Sequence, residues 1–199
     1  MKNLKFLSVM FCCIAAMSFA SCSNDDDQQS LTKDEKAQCF QAVKGSYTGK
    51  MIYASANAKN SKDITDTVDI SWNIATDSTM TIAKFPSKLL AANVTDASLK
   101  AALEKAEDQT VTCRIGFIQK SPVAFLINPV SLSYPLNYGN KDHKVQVAFY
   151  VNNTNSIGMY NATSKLLQMQ VIEGGIYEDG KLTTYLKTGV SFFFTVTKK

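Results

Sequence analysis

The chain is poor in the residues that carry most metal and acid–base chemistry. It has one histidine, His143, one arginine, Arg114, and one tryptophan, Trp72. A single histidine confines any Ser-His-Asp or Cys-His relay to that residue. One histidine with two separated internal cysteines cannot supply the usual zinc spacing. Gly-x-Ser-x-Gly and Gly-rich phosphate loops are absent, and so is an acidic calcium loop with its glycine. A lone arginine, without a basic cluster interleaved with aromatics, gives no nucleic-acid surface. The sequence therefore predicts no catalytic set, no metal and no cofactor.

The N-terminus is richer in signal. Lys2 and Lys5 precede Phe6 to Ala20, a charge-free apolar run. At fifteen residues it is shorter than the ~20 that span a bilayer, and it reads as a secretory signal core. It ends in Phe19-Ala20-Ser21-Cys22, which resembles the lipobox of bacterial lipoproteins. The resemblance implies cleavage before Cys22 and acylation of that cysteine, and two or more acyl chains anchor a protein stably. Ordinary secretion is the alternative, because Ser18-Phe19-Ala20 also resembles a signal-peptidase site. Ser23 to Ser30, with Asp25, Asp26 and Asp27 at its centre, has no apolar residue and reads as a tether. It resembles the acidic export signal of surface lipoproteins of Bacteroides-like bacteria, which implies the outer face of the outer membrane. The expected organisation is thus 1–21 signal peptide, 22–31 acidic tether and 32–199 a single β-rich domain.

Without the signal peptide, 178 residues remain and net charge falls from +4 to about +2; that length suits one domain with a real core. Thr32-Lys33-Asp34-Glu35 is a capping box that opens a helix to about Lys44, stopped at Gly45. Strand-like alternation then dominates: Tyr47 to Tyr53, Val68 to Ile74, Thr79 to Phe85, Gln109 to Gln119, Val123 to Asn128, Val130 to Tyr134, Lys144 to Val151, Leu166 to Ile172 and Val190 to Val196. One helix, capped by Thr95 or Asp96, interrupts them. Gly174-Gly175 reads as a bulge or bend, and Asp179-Gly180 as a tight hairpin turn. About nine strands with short connections predict a mainly β domain of antiparallel strands, either a meandering barrel or a two-layer sandwich. Gly45-Ser46-Tyr47-Thr48-Gly49 resembles the opening of lipocalin-like barrels, with Tyr where those have Trp, and favours the barrel.

Cys39 and Cys113 could form a disulfide in an exported chain. Each also reads as a small buried hydrophobe, Cys113 on the apolar face Val111, Cys113, Ile115, Phe117 and Cys39 beside Phe40 on the first helix. His143 opens a strand after the polar run Gly139-Asn140-Lys141, a hairpin-tip position where histidine is usually solvated. Glu173, Glu178, Asp179 and Asp142 lie near strand ends and could form a hydrolytic carboxylate pair. Tyr134, Tyr138, Tyr160, Tyr177 and Tyr185 cluster in or beside the turns of the second half and form the candidate ligand site, since tyrosine joins an apolar plate to a polar tip. Tyrosine is also common filler on half-buried strands.

Through the lipobox, the Asp25 to Asp27 tether, the Thr32 to Lys44 helix and the Gly45 to Gly49 opening, the whole chain is similar to uncharacterised surface lipoproteins of Bacteroides-like gut bacteria of comparable length. That resemblance implies location and domain size and no site residues. The functional expectation is a non-catalytic binding module, held to the membrane by its lipid, for a glycan, a lipid or an envelope protein. The alternatives are a structural envelope component and a carboxylate-dependent hydrolase.

Overall fold

A computed structural model describes residues 30–54 and 64–197. The signal peptide, Cys22 and the run Asp25 to Asp27 lie outside the described residues. Helix α1 (Lys33–Val43) begins with the predicted capping box: Glu35 donates its N–H to Thr32 Oγ1, and Glu35 Oε2 accepts from the Thr32 N–H at 3.0 Å. Eleven strands follow: β1 (Gly45–Ala54), β2 (Thr65–Ile74), β3 (Thr79–Phe85), β4 (Gln109–Lys120), β5 (Val123–Pro129), β6 (Leu132–Tyr138), β7 (Lys141–Phe149), β8 (Ile157–Asn161), β9 (Leu166–Glu178), β10 (Lys181–Leu182) and β11 (Val190–Thr197). Two short helices, α2 (Ser87–Ala91) and α3 (Ala97–Glu104), join β3 to β4.

All pairings are antiparallel. The path β11-β1-β2-β3-β4-β5-β8-β9 closes on itself through β9–β11, where Phe192 faces Val171 and Phe194 faces Met169. The domain is therefore a closed eight-stranded barrel rather than a sandwich. Its wall runs in sequence order, an up-and-down meander, with β6–β7 inserted between β5 and β8 and β10 between β9 and β11. The strands alternate because every second residue faces the lumen. The burial pattern of β4 follows this rule, with Val111, Cys113, Ile115 and Phe117 in and their neighbours out.

The lumen is filled by side chains. Trp72 stacks on Tyr47 at 5.7 Å and meets Phe194 edge-on at 5.9 Å. Phe85 meets Phe192 at 5.0 Å, Phe149 at 6.2 Å and Phe194 at 6.4 Å. Edge-on aromatic contacts of this kind add to the burial energy. Gly49 and Gly158 let the walls close on these rings: a Cβ on Gly158 would overlap the Phe125 ring, and one on Gly49 would overlap Trp72 and the Thr195 carbonyl.

α1 covers one end of the barrel. Tyr47 Oη donates to the Val43 carbonyl, and Cys39 Sγ lies 3.7 Å from the Gln119 carbonyl oxygen. Cys113 sits six residues back along β4, roughly 20 Å away at strand rise, far beyond disulfide reach. Both cysteines are free and buried, so the possible Cys39–Cys113 bond is replaced by two small packed side chains. Burial pushes the Cys113 thiol up to about 12. Among the described residues, no helix is long and apolar enough to cross a membrane.

Several strand boundaries differ from the sequence reading, and β8 is a strand that it did not contain. β5 runs through Pro129, and β6 starts only at Leu132. β7 begins at Lys141 rather than Lys144. β9 does not stop at Ile172 but continues to Glu178. At its middle Glu173 pairs with Phe149 and Gly175 with Ala148, so Gly174 is the extra residue of a bulge. A Cβ there would overlap the Tyr150 ring. Beyond the bulge β9 leaves the barrel and, with β6 and β7, forms a three-stranded extension at the end opposite α1.

Candidate functional site

Two tight turns form the tip of this extension. Tyr138 pairs with Lys141 across Gly139-Asn140, and Glu178 pairs with Lys181 across Asp179-Gly180. All four turn residues have positive φ, between 50° and 81°, the conformation of the two-residue hairpin that Asn, Asp and Gly favour. Because β7 pairs with β9, the turns lie side by side, and the Asp179 N–H donates to the Lys144 carbonyl at 2.9 Å.

The inward rows of the three strands converge there. Val145, Val147 and Phe149 are buried, and His143 continues that row toward the tip. Tyr138 continues the row of Leu132, Tyr134 and Leu136, and Glu178 that of Ile176. His143 Nδ1 lies 3.0 Å from Asp179 Oδ2 and 3.7 Å from Glu178 Oε1. Tyr138 Oη donates to Glu178 Oε2 at 2.6 Å, and its ring stacks on the imidazole at 4.4 Å. The Lys144 N–H donates to Asp179 Oδ1 at 2.9 Å, and Lys141 Nζ stands 3.7 Å from Asp179 Oδ2.

His143 is thus not a solvated tip residue. Its side chain is 11% exposed, because β9 places both acids beside it and Tyr138 covers one face. Asp179 is held below the usual carboxylate range, first by the Lys144 N–H and then by His143. Tyr138 is pushed far up, first by burial and then by its bond to Glu178. Tyr185 is raised chiefly by the charge of Glu178, then by burial and Asp96. Its carbonyl accepts from the Thr95 N–H at 2.9 Å and from Thr95 Oγ1 at 3.0 Å, which ties the β10–β11 connection to the α2–α3 junction.

The five candidate tyrosines divide. Tyr138 and Tyr185 share the electrostatic surroundings of Glu178. Tyr177, half-buried, is the neighbour of Glu178 on β9 and so faces the opposite side of the sheet. Tyr134 is buried in the core, 2% exposed, its hydroxyl without a partner. Tyr160 is buried on β8 at the α1 end, paired with Val123 and Leu167. The carboxylates also separate. Asp142 accepts from Asn137 Nδ2 at 2.6 Å. Glu173 is sealed in the core, 0% exposed, with neither oxygen partnered, and burial pushes its carboxyl up to about 8. A groove of about 460 Å³ at the α1 end is lined by Lys44, Ser46, Tyr47, Thr48 and Thr197 among others, and holds no acid–base pair.

His143 was open to discovery from sequence only through the paired turn signals Gly139-Asn140 and Asp179-Gly180, which place two hairpin tips without saying that they adjoin. No curated protein and no solved structure matches the chain. A family model matches residues 42–178, a span running from the end of α1 through the barrel wall to Glu178 of the tip, and on that match the chain belongs to DUF4840, a domain of unknown function.

Proposed function

We propose that this chain is a lipid-anchored envelope protein, tethered through Cys22 and displayed on the outer membrane surface, whose barrel is a non-catalytic binding module. The observation that carries the reading is the contrast between a lumen filled by Trp72, Phe85, Phe192 and Phe194 and a tip where Tyr138, Tyr185, His143 and Glu178 converge. A filled lumen favours recognition at the tip over enclosure of a lipid. Aromatic plates beside carboxylates suit a glycan, whose sugar faces stack on rings while its hydroxyls donate to acids.

The hydrolase reading is weaker on the same geometry. An acid catalyst needs a carboxyl that keeps its proton and meets the substrate. The proton-holding carboxyl here, Glu173, is sealed in the core, and the accessible Asp179 is held ionised.

Two measurements test the reading. Cys22→Ala is expected to move the protein from the membrane fraction to the soluble fraction; full retention of the variant on membranes refutes the anchor. On a glycan array the full chain in detergent is expected to give signals that Tyr185→Ala weakens at least tenfold. Signals of equal strength in that variant would remove the tip as the binding surface.

A further inference from the structure

We infer that the tip is a zinc site, with His143 Nδ1, Glu178 Oε1 and Asp179 Oδ2 as its three protein ligands and one coordination position left open. The inference rests on the reading above only in using the same tip; an ion can bind there whether or not a glycan does. The candidate ligand atoms all lie within 4.8 Å of one another. Zinc bonds nitrogen and oxygen at about 2.0–2.2 Å, so tetrahedral ligands stand about 3.4 Å apart. The observed 3.0 Å and 3.7 Å separations from Nδ1 straddle that value.

The carboxylates are oriented as metal ligands are. Each has one oxygen held by a donor and the other turned to the imidazole: Tyr138 Oη holds Glu178 Oε2, and the Lys144 N–H holds Asp179 Oδ1. Such supporting bonds fix ligand direction and are worth about 10–100-fold in metal affinity. The imidazole plane is fixed independently, by stacking on Tyr138 at 4.4 Å and 25°. Two acids balance the charge of a divalent ion, and a mixed imidazole–carboxylate set suits zinc better than calcium or magnesium, which take oxygen ligands alone. Lys141, 3.7 Å from Asp179 Oδ2, competes for the same oxygen, but its side chain is 69% exposed and free to swing outward. Binding replaces the His143–Asp179 hydrogen bond by two metal bonds; a neutral imidazole with its proton on Nδ1 passes to the Nε2–H tautomer with no net release, and an imidazolium gives its Nδ1 proton to solvent.

The test is calorimetric titration of the full chain, in detergent, with zinc chloride, together with proton NMR of its sole imidazole. The expected result is a saturable isotherm for one ion and a shift of the His143 ring signals that saturates at the same stoichiometry. His143→Ala and Asp179→Asn are each expected to weaken binding at least tenfold, and Tyr138→Phe about 10-fold or more through Glu178. Absence of a saturable isotherm in the parent, or equal affinity in His143→Ala, overturns the inference. Zinc binding with no array signal would overturn the glycan reading and leave this one standing.

Discussion

Replacing Glu173 by Met is expected to stabilise the fold at pH 8 by about 3–5 kcal/mol and to flatten its dependence on pH. The carboxyl stands near 8 in the folded chain against 4.5 as its ordinary value, and each unit corresponds to about 1.4 kcal/mol. The sign follows from proton counting. Between pH 4.5 and 8 the folded chain keeps the proton that the unfolded chain has lost, so the parent loses stability as pH rises through that window and no more above it. The cause is geometric: β9 carries Glu173 on its inward row with Leu167, Met169 and Val171, and neither carboxyl oxygen finds a donor. Methionine fills similar volume without a charge to desolvate. Urea unfolding of parent and variant at pH 5, 6.5 and 8 decides the matter. Parallel pH profiles would mean that Glu173 is solvated or paired when folded.

Phe85→Ala is expected to cost about 3–5 kcal/mol, the usual range for removing a buried ring. For a domain of this size that lowers the melting temperature by roughly 10 °C. Phe85 is 0% exposed and touches three other phenylalanines, from β7 and β11, so its loss opens the junction between the barrel and the extension. Trp72, the only tryptophan, packs on Phe194 in the same lumen and reports the change by fluorescence. A loss below about 1 kcal/mol would show that the lumen is loosely packed, and it would return an enclosed ligand to consideration.

Much of the barrel was legible from the sequence because its walls have one buried and one exposed face. Val68, Ile70, Trp72 and Ile74 alternate with polar neighbours, and β2 follows them to Ile74. The capping box at Thr32 and the turn residues Asp179-Gly180 are local chemistry and were equally readable. The alternation of β9 stops at Gly174-Gly175 in the sequence; a bulge and the Tyr150 ring, neither of them local, carry the strand onward. Glu173 looked like an end-of-strand acid for the same reason. His143 and Asp179 are 36 residues apart in sequence, and their contact depends on β7 pairing with the far half of β9. No period or turn signal encodes which strands will be neighbours across a bulge. The five tyrosines do not share one surface: Tyr134 and Tyr160 are buried, and strand parity separates Tyr177 from the neighbouring Glu178.

Closure of the barrel has a bearing on crowding at a surface. Sheets recruit one another through unpaired edges, and a closed wall offers none. The extension reopens the question at β6, whose outer side meets no further strand in the sheet order. Two features blunt it. Lys144 directs both its N–H and its carbonyl to Asp179 on the β9 side, so its partner Pro135 presents a nitrogen without hydrogen to the open edge. Gln109 Nε2 donates to the Ser133 carbonyl at 3.0 Å, occupying an acceptor that another chain could use. Along β6, copies of this domain packed side by side would thus meet a blunted edge, which works against fusion into common sheets there.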